Sequence, residues 1–420
     1  MKLQHKQTKL ENGLTVLTVP MQTESVTVML QVRVGSRDED SKVNGISHFL
    51  EHMVFKGTKK WPKAMDVNRV IESVGGKFNA FTSREETGFW VKLQKKHIGL
   101  GLEFLHQLVF EPLLPSKELE QERGVILEEI KMYEDNPMAK TAREFVSQVY
   151  SATCLGQHII GRPEVIKSVS KKDFDGHLNK WYQPENMVLA VAGGGLEGVS
   201  ELASGLFQDS RTGKVKFSDR PEEVKIKKDG DRLKVHHKPI QQAHFCLGVE
   251  TFKQTDEDRE GMLILNTILG GNTSSRLWEE VREKRGLVYY VRSSASGHMD
   301  TGLLVTQAGC DLNRVEEAIK VVKAEYEKIS EVSEDELMRA KEYIKGGLAL
   351  ELEDSQEVAS WLGSELLLEG EVKGVKETIE AIEKIRIEDV RRVAERIFKN
   401  KLHLTIVGPF KDETKFENLV

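Results

Sequence analysis

The sequence predicts an α+β protein of two homologous tandem domains, each a mainly antiparallel sheet backed by helices. Three observations predict it. Apolar segments of period two are interleaved with long amphipathic helical segments, the order of these elements occurs twice, and 420 residues exceed one ordinary core while accommodating two of about 200. The duplication shows best at the ends of the two halves. Ser170-Lys171-Lys172-Asp173-Phe174 opens a helix that ends at Trp181-Tyr182 and leads into the apolar strand Met187 to Ala192 and a glycine. Arg386-Ile387-Glu388-Asp389-Val390 opens a second helix, ending at Ile397-Phe398, before Leu402 to Val407 and Gly408. Asp173 and Asp389 lie 216 residues apart. Nearly the same offset relates Leu114-Pro115-Ser116 to Glu331-Val332-Ser333, both helix starts with a serine at the predicted cap. Such a period means domain duplication rather than a solenoid. The predicted domains are 1–215 and 232–420, joined by a linker at 216–231, where glycine, proline and alternating charge replace the apolar pattern.

Each element follows from local pattern. Leu10-Glu11-Asn12-Gly13-Leu14-Thr15-Val16 reads as a turn and strand so close to Met1 that the sequence as given leaves no room for a signal or transit peptide, an expectation of a cytoplasmic protein. With 61 basic and 67 acidic residues and a net charge of -6, no nucleic acid or anionic membrane is expected as a dominant partner. No apolar run reaches membrane-spanning length. Cys154, Cys246 and Cys310 are isolated and read as reduced, buried and inert. Gly193-Gly194-Gly195 lacks the Gly-Lys-Ser/Thr of a phosphate loop and reads as a turn. His236, His237 and His244 read as surface and strand residues.

From Gly45 to Phe55, apolar residues at 46, 49, 50, 53 and 54 make a helical stripe, with Asn44 as the predicted cap and Lys56-Gly57 as the stop. The helix carries H-F-L-E-H, placing His48 and His52 one turn apart with Glu51 beside them. A single His-x-x-x-His pair is more often core packing than a metal site, but the added glutamate makes H-x-x-E-H, the reverse of the zinc-protease motif H-E-x-x-H. A hydrolytic zinc site needs a third protein ligand and an open position. Glu122 and Glu129, seven apart, share a helical face with Val125 and Ile126 between them, and a carboxylate on an apolar face is costly unless it meets a cation. Glu128 falls off that face and reads as solvated.

These motifs resemble the pitrilysin, insulysin and mitochondrial-processing-peptidase group of zinc endopeptidases, over essentially the whole chain. Gly45 to Thr58 is especially similar to the processing-peptidase branch. The resemblance implies one zinc ion per chain held by His48, His52 and Glu129, which lies 77 residues after His52. It implies Glu51 as general base and Glu122 as a supporting carboxylate. In Arg282 to Tyr289, a charged helix running into a strand by pattern alone, it implies that Arg282 holds the substrate backbone and Tyr289, rather than its neighbour Tyr290, polarises the scissile carbonyl. It implies that Phe78, Asn79, Ala80 and Phe81, after the Gly75-Gly76 turn, form an exposed edge to which a peptide adds as a strand. Met262 to Gly270, the counterpart of the zinc helix, has no histidine or glutamate, so metal is expected in the first half alone.

The family's two half-size domains form half of a clamshell, so the resemblance implies a homodimer enclosing a chamber, with the Arg282/Tyr289 pair supplied across it. The implied activity is zinc-dependent cleavage of oligopeptides or unfolded segments. Two departures bear on substrate. Where processing enzymes read an arginine with acidic residues ten and fourteen positions past the ligand glutamate, this chain has Ala139 and Arg143. Gly270-Gly271-Asn272-Thr273-Ser274 also lacks the longer glycine-rich insertion of the non-catalytic partner subunit. The competing readings are a non-catalytic scaffold or peptide-binding member of the family, whose relatives have typically lost site residues, and a zinc hydrolase of small amides, which leaves the edge strand and the duplication unused.

Overall fold

The computed structural model describes residues 3–151, 153–211, 213–215, 224 and 231–420. Two mixed sheets, each backed by helices, organise it. The first runs in the order β1 (Lys6–Lys9), β2 (Thr15–Pro20), β6 (Met187–Gly193), β3 (Ser25–Val32), β5 (Thr87–Gln94), β4 (Lys77–Thr82). The second runs β7 (Leu233–His237), β11 (His403–Gly408), β8 (Gln242–Thr251), β10 (Gly302–Asp311), β9 (Val288–Gly297). Pairing is antiparallel except at β2 with β6 and β7 with β11. The expected α+β class with two repeated domains is what the structure has. The central strands β3 and β6 are buried almost throughout, as runs such as Met-Val-Leu-Ala-Val-Ala require.

The packing units are not two consecutive stretches of chain. One contains 1–130, 157–222 and 349–376, and the other 131–156, 223–348 and 377–420. In the first, the helix Ser355–Glu369 packs on β3 and β6. Its Ser364 Oγ accepts from Gln31 Nε2 at 2.8 Å, Ser355 and Thr27 hydroxyls meet at 2.8 Å, and the absence of a side chain at Gly363 leaves room for Gln31 and Ala190. In the second, the helix Pro137–Val149 packs on β8 and β11, with Phe145 seated against the bare Cα of Gly248 and Gln148 donating to the Asp231 carbonyl at 3.0 Å. The predicted linker at 216–231 lies outside the described residues except for Val224 and Asp231.

Two predicted caps differ in the structure. The first-half helix begins at Ser116 itself, after Pro115, whereas Ser333 does cap its helix, its hydroxyl accepting from the Glu336 amide at 3.3 Å. Asn44 does not cap the histidine helix. That helix spans Ile46–Met53 and follows Gly45 in the left-handed region, φ +97°, where a Cβ would lie 2.7 Å from Gly161 Cα. The buried carboxylate of Glu39 takes the capping role instead, accepting from the Gly45 and Ser47 amides at 2.6 and 2.8 Å and from Asn44 Nδ2 at 2.9 Å. Its pKa is pushed up to about 7 by burial, against the pull of those donors.

Candidate active site

The site is built where the helix Ile46–Met53 meets the helix Ser116–Asp135. The first buries Ile46, Phe49, Leu50 and Met53 in the core of its unit, so the opposite side of the same turns must present His48, Glu51 and His52. The second buries Leu119, Glu122, Ile126 and Ile130. Two helical turns separate Glu122 from Glu129, which brings both carboxylates to the histidines.

His48 Nε2 lies 3.8 Å and His52 Nε2 3.7 Å from the same oxygen of Glu129, and the two imidazole centroids are 4.7 Å apart. These separations exceed hydrogen-bond length. They come within a few tenths of an ångström of the roughly 3.3 Å between donors that each sit about 2 Å from a shared zinc ion. The three side chains form a metal-ligating cluster with all ligand atoms within 4.8 Å of one another. Among the described residues it is the one such group of histidine, cysteine and carboxylate side chains.

Protonation suits the same role. Burial, aided by the charge of His52, holds the His48 pKa down to about 4, so its imidazole is neutral at pH 7 and has a lone pair to give. His48 Nδ1 is buried with no hydrogen-bond partner among the described residues, and Nε2 is the nitrogen that faces Glu129. Burial opposes a charge on His52, but the hydrogen bond and charge of Glu122 outweigh it and raise the pKa. That bond, His52 Nδ1 donating to Glu122 Oε1 at 2.8 Å, fixes the tautomer and turns Nε2 toward Glu129. Glu122 is itself raised by burial but held below its ordinary value overall by His52 and by Lys56, whose Nζ lies 2.5 Å from Oε2. The donor set therefore fits a zinc ion: a neutral imidazole, an oriented imidazole and a carboxylate.

Glu51 sits beside this cluster. Burial lifts its carboxyl above the usual range, outweighing the Thr82 hydrogen bond and the charge of His52. Thr82 Oγ1 donates to Glu51 Oε2 at 2.6 Å, which ties the general-base candidate to the end of β4.

β4 lies at one edge of its sheet, pairing with β5 on one side. Phe78 points inward against Phe55 and Phe104, with ring centroids 5.5 and 5.3 Å away, and the Phe81 ring lies over Gly88 on β5. Asn79 is exposed, and its Oδ1 accepts from the Ala80 amide at 2.9 Å, so that N–H is not spent on β5. The side of β4 away from β5 carries no partner strand among the described residues.

The other predicted pair belongs to the second unit. Arg282 lies in a single wide π-helical turn, Trp278–Glu283, where sequence pattern alone gives an ordinary helix; such turns often mark functional positions. Its guanidinium stacks on the Trp278 ring at 4.0 Å, and no acceptor for it is found among the described residues. Tyr289, 42% exposed, stands on β9, itself a sheet edge. Arg143, where a processing enzyme has an acid, donates to Glu144 at 2.9 Å and to Glu134. Lys56, Thr82 and Glu39 were not singled out by sequence reasoning. Lys56, read in the sequence only as part of the helix stop, lies in the 3-10 turn Val54–Lys56 that follows the histidine helix, and the other two act across loops and strands.

Comparison with known proteins accords with this geometry. Residues 15–162 match the model described as Insulinase (Peptidase family M16), and 168–344 match the one described as Peptidase M16 inactive domain. A zinc protease of Streptomyces coelicolor is 33% identical over 97% of this chain and 90% of its own length. The chain belongs to the insulinase family of peptidases. Within it the chain is of the processing-peptidase-like kind: the human mitochondrial-processing peptidase subunit beta is 31% identical, with 98% of this chain and 86% of the relative aligned. A solved protease from Helicobacter pylori superposes with a TM-score of 0.90 at 26% identity, covering 97% of this chain and all of that one. In this insulinase-family chain the helix Arg259–Gly270, counterpart of the histidine helix, carries no histidine, in keeping with the description of the second matched region. No helix among the described residues is long and apolar enough to cross a membrane.

Proposed function

We propose that this protein is a zinc-dependent endopeptidase that cuts oligopeptides or unfolded segments, binding one zinc ion per chain. The observation that carries the reading is the convergence of His48, His52 and Glu129 on one point, with Glu51 beside them and a free sheet edge tied to Glu51 through Thr82. Bound there, zinc supplies a water of lowered pKa and an electrophile for the carbonyl.

The chain's own residues supply the rest. A peptide aligned along β4 meets outward main-chain groups, including the Ala80 N–H once Asn79 Oδ1 releases it, so its backbone is held while its side chains go largely unread. Glu51, with a carboxyl poised above the usual range, accepts the proton of the attacking water and returns it to the leaving amine. Glu122 keeps His52 in the tautomer that ligation requires. Arg282, stacked on Trp278 and without an acceptor among the described residues, and the exposed Tyr289 hydroxyl suit the backbone and carbonyl of a peptide, and we assign them to a second copy of the chain in a homodimer that closes over the substrate. Ala139 and Arg143 argue for a substrate range wider than arginine-marked presequences.

Incubating the purified chain with a mixture of unstructured peptides and reading the products by mass spectrometry tests the proposal. Internal cuts abolished by a chelator are expected. Intact peptides after incubation with zinc-loaded protein would overturn it.

A further inference from the structure

Tyr289 is not simply an exposed residue on a strand. Gly309 on β10 pairs with Tyr290 and Cys310 with Val288, so Tyr289 is the extra residue of a β-bulge. Neighbours on a regular strand face opposite sides. Here the bulge brings both tyrosine hydroxyls to one imidazole: Tyr290 Oη lies 3.0 Å from His244 Nδ1 and Tyr289 Oη 3.4 Å from His244 Nε2. Gly309 makes the arrangement possible, because a Cβ there would fall 2.6 Å from Tyr289 Oη and 2.4 Å from the Tyr290 ring. The fourth member is Gln242, two residues before His244 on β8 and therefore on the same face, whose Oε1 accepts from the Tyr289 hydroxyl at 2.7 Å.

One proton arrangement satisfies these contacts. His244 is 5% exposed and burial lowers its pKa, so the ring is neutral, with one donor and one acceptor. Since the Tyr289 proton goes to Gln242, its oxygen is left to accept from His244 Nε2–H, and Nδ1 accepts from Tyr290. Proton donation then runs from Tyr290 through His244 and Tyr289 to Gln242. The last acceptor is a side-chain amide oxygen, chemically the same group as a peptide carbonyl.

We propose that His244 and Gln242 are positioning residues for Tyr289: His244 holds its hydroxyl oxygen so that the proton points outward, and the Gln242 amide occupies the place that a substrate carbonyl takes over. The proposal rests on the reading of Tyr289 as a contact to the scissile peptide. Binding a peptide exchanges one amide oxygen for another at an already aimed hydroxyl, which keeps the cost of ordering it low.

Steady-state kcat and KM on an internally quenched peptide, for Tyr289→Phe, His244→Phe, Gln242→Ala and the two doubles with Tyr289→Phe, test it. Tyr289→Phe is expected to lower kcat about 100-fold, as for loss of one donor to a developing oxyanion. His244→Phe is expected to lower kcat about tenfold with little change in KM, and to have no further effect once Tyr289 is Phe. Gln242→Ala removes the competing amide and is expected to lower KM about threefold with Tyr289 present and not without it. Gln242 is exposed, so its cycle still tests the exchange of amide oxygens at the Tyr289 hydroxyl where His244→Phe fails to fold, and His244→Gln, which keeps a side-chain N–H, tests the hold on the oxygen. Equal fold-changes in both backgrounds would overturn the positioning role and leave the Tyr289 reading standing. Full activity of Tyr289→Phe would overturn both.

Discussion

Glu122 gives the sharpest test of how the site is held. It is 6% exposed and uses both oxygens, one on His52 Nδ1 at 2.8 Å and one on Lys56 Nζ at 2.5 Å. Glu122→Gln keeps the volume and an acceptor for His52 but removes the charge. A hydrogen bond to a charged acceptor contributes about 1.5–3 kcal/mol and a neutral one about 1, so roughly 1–2 kcal/mol of orientation is lost. Loss of an outer partner of a ligating histidine typically weakens metal binding about 10- to 100-fold, which the same 1–2 kcal/mol largely accounts for. Competition with a chromogenic chelator reads zinc affinity directly, and a thermal melt of the zinc-free chain controls for folding. Lys56 keeps enough exposure to be solvated alone, so the melt is expected to move little. Zinc affinity equal to that of the wild type, with an unchanged melt, would refute the view that Glu122 orients His52.

Three further outcomes are expected. Glu51→Gln should keep zinc at the wild-type level and lower kcat by about 10²–10⁴, the range for a lost general base; parallel loss of metal would instead make Glu51 a ligand. Ala80→Pro deletes an outward N–H from an edge strand, where proline is tolerated, so stability should change by less than about 1 kcal/mol while KM for long peptides rises; an unchanged KM would remove β4 as the peptide's partner. Glu86, with Ser364 Oγ 2.9 Å from each carboxyl oxygen, is pushed up to about 7 by burial. A raised carboxyl stabilises the fold below its unfolded pKa of about 4.3, and that stability is lost as pH rises through about 7. Glu86→Gln should therefore gain about 2 kcal/mol over wild type at pH 8 and little at pH 5 in denaturant titrations, after allowance for partial exposure; a difference independent of pH would contradict the assignment.

The two pairs of candidate ligands were readable in the sequence because each is local, whereas their joining into one site, across some 70 residues of chain, came only from the family resemblance. His48 and His52 are one turn apart, Glu122 and Glu129 two turns, and helix periodicity alone places each pair on one side. β4 was readable from Gly75-Gly76 and the alternation that follows. What escaped depends on contacts between distant segments. The Glu39 cap displaced Asn44 because Gly45 takes a left-handed turn that brings the helix amides to a buried carboxylate. The placement of Pro137–Val149 on the second sheet and Ser355–Glu369 on the first leaves no mark in periodicity, which reports that a face is buried and not what buries it. The bulge at Tyr289 depends on Gly309, twenty residues on, and His244, read as an ordinary strand residue, meets both tyrosine hydroxyls through that bulge.

The most direct test of the account is the return of activity as zinc is titrated into metal-stripped protein, followed with an internally quenched peptide. The account predicts no cleavage at the start, a linear rise that breaks at one equivalent per chain, and no rise for Glu129→Gln over the same range. Full activity of the stripped chain, or a Glu129→Gln curve that overlays the wild type, would contradict it.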